Sequence, residues 1–262
     1  MDLRRTTLPV PPSRANRLAC LLVAAGIAMA AGIAEPGDSG ACREALARGL
    51  ESLERGDAAA AAERYEEAVE LAPSDDYRRS ALVGLGTSLS VLGRSREAVE
   101  TFERALVLAP DDVDLLILLG GVERTLGRLA ASRLHLQRAA HLSPGRPAPH
   151  HELGLTLTAA GDYAEAAASC RRATAIAPNS VPAWVCVGVA SFQARLVMEA
   201  VEAFARAVEL APENGGARYG LARSLLAAGR RDDAIEQYVK LRALAPDLAA
   251  ELYRELFPAT GG

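Results

Sequence analysis

Two kinds of apolar pattern divide the chain. From Leu18 to Ala34 the sequence reads LACLLVAAGIAMAAGIA, an apolar stretch without a charge. From Cys42 onward the apolar residues instead come in short bursts at helical spacing, interleaved with charged ones, as on helices that turn one face to a core. Every second burst ends at a proline: Ala72-Pro73, Ala109-Pro110, Ser143-Pro144, Ala177-Pro178, Ala211-Pro212 and Ala245-Pro246. The first two prolines are 37 residues apart and all later ones 34. Proline removes a backbone donor and clashes with the preceding turn, so each of these residues closes a helix.

Aligned on the prolines, the chain repeats in finer detail. A glycine stands 24 residues earlier at Gly49, Gly86, Gly120, Gly154 and Gly188, with Ala222 in the sixth unit. Another stands 17 earlier at Gly56, Gly93, Gly127, Gly161 and Gly229, with Arg195 in its place once. Alanine stands 12 earlier at Ala61, Ala98, Ala166, Ala200 and Ala234, with Ser132 as the small exception. A larger residue stands 8 earlier: Tyr65, Phe102, Leu136, Cys170, Phe204 and Tyr238. The pattern predicts two antiparallel helices per unit. The first glycine and the alanines let the helices approach closely, the larger side chain fills the gap toward the next pair, and the second glycine supplies a positive φ in the turn. Asp162 and Glu165 are spaced as a capping box.

This unit resembles the tetratricopeptide repeat (TPR) family. The resemblance is carried by the LxxLGxxLxxLG spacing of residues 82–93 followed by Ala98, Phe102, Ala105 and Pro110, and by Trp184 with Gly188, Ala200, Phe204, Ala207 and Pro212. Six units cover 42–75, 79–112, 113–146, 147–180, 181–214 and 215–246, and 247–262 reads as a closing amphipathic helix and tail whose charged side solvates the end. Arg48 departs from the family's apolar pattern, three residues are inserted near Asp75–Tyr77, and the last unit lacks its first glycine. The resemblance implies an all-α, right-handed superhelical solenoid of about six helix-turn-helix units. It also implies a concave surface, formed by the first helices, that binds a protein or peptide partner. Its candidate groove residues are Leu50, Val83, Arg124, His151, Leu155, Val185, Val189, Phe192, Tyr219 and Arg223, flanked by Leu46, Leu53, Val91, Ile117 and Leu226. So apolar a lining fits an amphipathic helix, with Phe192 and Tyr219 expected at the surface. The competing reading packs many of these side chains between units, because a one-residue register error exchanges faces.

Composition agrees with this architecture. Half of the residues are hydrophobic but only 4% are aromatic, and 54 are alanine, the best helix former. Lys240 is the only lysine among 29 basic residues, an arginine excess that fits a GC-rich bacterial genome. The net charge of −4 gives no nucleic-acid footprint. Residues 1–34 are nonetheless basic, with Arg4, Arg5, Arg14 and Arg17 against Asp2. A basic start, the apolar run and the small-x-small sites Ala28-Met29-Ala30 and Gly32-Ile33-Ala34 describe a secretory signal. The run would span about 25 Å as a helix, so an uncleaved membrane anchor is the second reading and a buried helix the third. Residues 35–41 form a linker. Under the first two readings the body is exported to the periplasm or cell envelope.

The chemistry-bearing residues are sparse. His150 and His151 are adjacent and would diverge by about 100° on a helix. His135 and His141 are six apart, and no HExxH, GxxxxGK[ST] or GxSxG motif occurs. No catalytic residues, metal site or cofactor are expected. Cys170 and Cys186 fall on adjoining helices. Buried free thiols are their expected state, with a bridge open to them in an oxidising compartment if the Cα atoms lie within about 7 Å. The expected function is a non-enzymatic envelope scaffold that holds a protein partner; the alternative is a structural subunit that self-associates through its repeats.

Overall fold

The computed structural model describes residues 39–258; the expected signal or anchor segment, residues 1–34, lies outside the described residues. Thirteen helices and no strands occur among them. The chain divides into two compact units at Ser143 and Pro144. The first unit contains α1 (Ser39–Glu54), α2 (Ala58–Leu71), α3 (Asp75–Val91), α4 (Ser95–Leu108), α5 (Val113–Thr125) and α6 (Leu129–Leu142). The second contains α7 (Pro147–Ala160), α8 (Tyr163–Ile176), α9 (Val181–Gln193), α10 (Val197–Leu210), α11 (Gly215–Ala227), α12 (Arg231–Leu244) and α13 (Pro246–Leu256). No described helix is long and apolar enough to cross a membrane. The three residues inserted near Asp75 extend α3 at its start, and Tyr77 among them is buried.

The turn inside each helix pair is made by the backbone. In the second pair, Gly93 N–H donates to Ser90 O at 3.1 Å and Arg94 N–H donates to Leu89 O at 2.9 Å. Such a turn needs a residue with positive φ, and glycine supplies it at Gly56, Gly93, Gly127, Gly161 and Gly229. In the fifth pair Arg195 takes the same conformation at φ 66° and makes the equivalent bonds to Phe192 O and Leu196 N–H to Ser191 O. The expected capping box does not form as read: the Asp162 side chain makes no cap hydrogen bond to α8. Its backbone is instead fixed by Asp162 N–H donating to Leu157 O at 2.9 Å, as in turns whose equivalent residue is arginine or leucine. Asp57 does cap α2, accepting from Ala60 N–H at 3.0 Å.

Packing inside each unit is ring against glycine. In the first unit a Cβ added at Gly49 would stand 2.9 Å from the buried Tyr65 ring, and one at Gly84 only 2.4 Å from it. Gly86 faces Phe102 in the same way and Gly120 faces Leu136. In the second unit the Phe204 ring sits between Gly188 and Gly220, where added Cβ atoms would come within 2.8 and 2.4 Å. The Tyr65 and Phe204 rings therefore each fill a slot opened by two glycines, one from their own pair and one from the next. Ser132, the exception in the alanine series, is fully buried, and its hydroxyl donates to Gly120 O at 2.7 Å.

Two further expectations are corrected. Cys170 and Cys186 are not free thiols but a disulfide, with Cα atoms 5.7 Å apart; helix approach at this junction is close enough for the bond. Cys42 is the free, buried cysteine among the described residues, and burial raises its thiol pKa. The terminal helix α13 buries Ala249, Leu252 and Leu256, yet its outer side is not purely charged. Tyr253 and Phe257 remain exposed and cluster with Tyr238, with ring centroids 4.9–6.3 Å apart.

Candidate functional site

The first helix of each pair carries three rows of residues, 27, 23 and 20 positions before the closing proline, that contain all ten sequence-derived candidates. In the first unit Leu50 and Val83 are partly buried and pack against the main core, and Arg124 is partly buried in the last turn of α5. Leu46, Leu53 and Ile117, from the same rows, are buried. Here the packing reading accounts for most of the face.

The second unit keeps more of its rows open. His151 and Leu155 on α7 and Val185, Val189 and Phe192 on α9 are all partly exposed. They form an apolar strip with one imidazole, whose Nδ1 lies 3.5 Å from Glu152 Oε1. Leu155 also rests on the cluster formed by Cys170, Cys186, Val187 and Ala203, so the disulfide underlies the strip.

At one end of the strip the structure joins three candidates. The Arg223 guanidinium lies 5.4 Å from the Phe192 ring centroid and 5.6 Å from that of Tyr219, within the range of a cation–π contact. Its Nε is 3.0 Å from Glu255 Oε1. One side chain of α11 thus ties α9 to the terminal helix. Tyr219 is only 1% exposed, contrary to its expected place at the surface, because α13 covers it. Burial pushes its phenol pKa well above the ordinary value, and the nearby Arg223 charge offsets this only in part.

Several participants were not singled out in the sequence. Glu255 lies in the terminal helix, whose register does not follow the repeat. Gly84 and Gly220 stand 26 residues before their prolines, two from the recognised glycine series, and occur in only two units. Glu123 is a buried carboxylate, 2% exposed, that meets His135 Nδ1 at 2.8 Å; this pair joins α5 to α6 within the first unit.

The described part is therefore an all-α helical-repeat protein. Sequence profiles of the tetratricopeptide repeat match residues 83–147 and 151–181 and residues 192–256, together more than half of the chain, and the protein belongs to the tetratricopeptide repeat family. No curated protein matches the sequence. Among solved structures, it is similar to the type IV pilus biogenesis factor PilW at 19% identity and TM-score 0.73, over 81% of this chain and 98% of that one. A tetratricopeptide repeat protein from Parabacteroides merdae aligns at 17% identity and TM-score 0.70, over 84% and 86% of the two chains. YrrB, described as a TPR protein with an unusual peptide-binding site, aligns at 20% identity and TM-score 0.59, over 74% and 99%. The family is in general a non-enzymatic, protein-interaction fold.

Proposed function

We propose that this protein is a protein-interaction scaffold of the bacterial cell envelope, and that it captures an apolar segment of another protein on the first-helix face of its second unit. The observation that carries this reading is the strip of Leu155, Val185, Val189 and Phe192, which stays partly open as a continuous run on two neighbouring first helices, whereas in the same rows of the first unit Leu46, Leu53 and Ile117 are buried and Leu50 and Val83 alone are partly open apolar positions. An apolar strip left beside water favours a partner with a matching stripe, such as an amphipathic helix. The peptide-binding site named for YrrB and the type IV pilus biogenesis role named for PilW are consistent with such a surface. Export is supported by the disulfide, which forms and persists in oxidising compartments, and by the basic, then apolar, start of the sequence. Leu18 to Ala34 would act there as a cleaved signal or as a membrane anchor.

The test is affinity capture from the native envelope with wild type and with Val189→Lys, each checked for an unchanged thermal midpoint. Loss of one specific protein with Val189→Lys supports the reading, whereas equal recovery of every protein by both baits contradicts it. A second reading, self-association, is favoured by the exposed Tyr253 and Phe257 beside Tyr238 at the end of the second unit. Light scattering of the full-length chain separates them: a monomer fits the scaffold, and a defined oligomer fits the assembly subunit.

A further inference from the structure

The disulfide occupies a position that the repeat itself explains. Cys170 stands 8 residues before its proline, where the other pairs place Tyr65, Phe102, Leu136, Phe204 and Tyr238. Cys186 stands 26 residues before the next proline, where the second and sixth pairs place Gly84 and Gly220. At those two junctions a ring from one pair enters the slot opened by the glycine of the following pair: Tyr65 onto Gly84 and Phe204 onto Gly220. At the junction of the fourth and fifth pairs neither cysteine can fill such a slot alone, and the covalent bond takes the place of the ring. Gly154 completes the correspondence. It belongs to the series that faces the ring in other pairs, and a Cβ there would stand 2.4 Å from Cys170 Sγ. Both sulfurs are enclosed, with Cys170 0% and Cys186 3% exposed, and Leu155, Trp184, Val187 and Ala203 close around them.

We propose that Cys170 and Cys186 are an oxidation site on which maturation of the second unit depends. The junction of α8 with α9 closes only once the two thiols have been oxidised by a disulfide. Each cysteine first loses its proton. One thiolate attacks a sulfur of the oxidant disulfide, forming a mixed disulfide and releasing the other oxidant sulfur as a thiolate. The second cysteine thiolate then displaces the remaining oxidant sulfur. The balance is two cysteine thiols plus one oxidant disulfide giving the Cys170–Cys186 bond plus two reduced oxidant thiols. Because the finished bond is enclosed, exchange precedes closure of the junction, and the chain reaches its final state in a compartment that supplies a disulfide oxidant.

The full-length chain, unfolded in denaturant, is refolded either with glutathione disulfide or with excess reductant. Limited proteolysis with mapped cleavage sites then reads the two units separately. With glutathione disulfide, residues 144–258 become protected; under reductant they are cleaved about a hundredfold faster, as expected for loss of a cross-link closing a short loop, while residues 39–143 stay protected in both. The double variant Cys170→Phe/Cys186→Gly restores the ring-and-glycine pair and is protected with or without reductant. Protection of reduced wild type equal to that of oxidised wild type overturns the proposal. So does full protection of Cys170→Ala/Cys186→Ala, because that pair supplies neither bond nor ring.

Discussion

The Tyr65 ring lies so close to Gly84 of the following helix pair that a Cβ there would stand 2.4 Å from its Cε1 atom. Tyr65 is fully buried, so the ring has no free space into which to retreat. Two physical effects therefore oppose each other in Gly84→Ala. Helix propensity favours alanine by up to about 1 kcal/mol, and forcing a methyl into a filled slot costs about 1–3 kcal/mol. The expected outcome is net destabilisation of about 1–2 kcal/mol in chemical denaturation. Gly121→Ala, in α5 with no atom within 4 Å of the added Cβ, keeps only the propensity gain and is expected to stabilise.

Arg195 sits at φ 66° where five other turns place glycine. A side chain in the left-handed region costs about 1–2 kcal/mol relative to its preferred conformations. Arg195 is exposed, so removing its side chain sacrifices little packing. Arg195→Gly is expected to raise stability by about 1 kcal/mol, partly reduced by the greater freedom of glycine in the unfolded chain. Thermal unfolding checks this by an upward shift of Tm.

Tyr219 makes stability depend on alkaline pH. Burial raises its phenol pKa above the ordinary value of 10.0. The folded state then holds the proton that the unfolded chain releases, so this stabilisation is complete below pH 10 and is lost as pH rises toward the folded value. At pH 11 wild type should have lost about 1 kcal/mol more than Tyr219→Phe, relative to each protein at pH 8. Urea unfolding at the two pH values measures the difference; parallel losses would assign the alkaline limb to other groups.

The repeat was legible because its prolines and glycines mark backbone events, the end of a helix and a positive φ, that depend on local chemistry alone. Arg195 was visible for the same reason, as an interruption of the glycine series. The exposure of the first-helix face was harder to read, because a single register position behaves differently from unit to unit. Leu46, Ile117 and Tyr219 are buried at a position where Val185 is partly open. What covers each one is set by neighbouring helices rather than by its own sequence. Tyr219 is covered by α13, which lies outside the repeat. The disulfide was legible as an open alternative and not as the outcome: Cys170 showed its register against the recognised series, but Cys186 belongs to a second glycine row that only Gly84 and Gly220 reveal.

Capture of another protein along the apolar strip of the second unit is tested by site-specific photocrosslinking in the native envelope. A photoreactive residue replaces Val189 in the strip or, as a control, Val239 on the second helix α12, where the side chain is 57% exposed. One dominant adduct with a different protein is expected from position 189, lost when Val185→Lys is added and absent from position 239. Equal adducts from both positions, no adduct from 189, or an adduct containing only a second copy of this chain would contradict it.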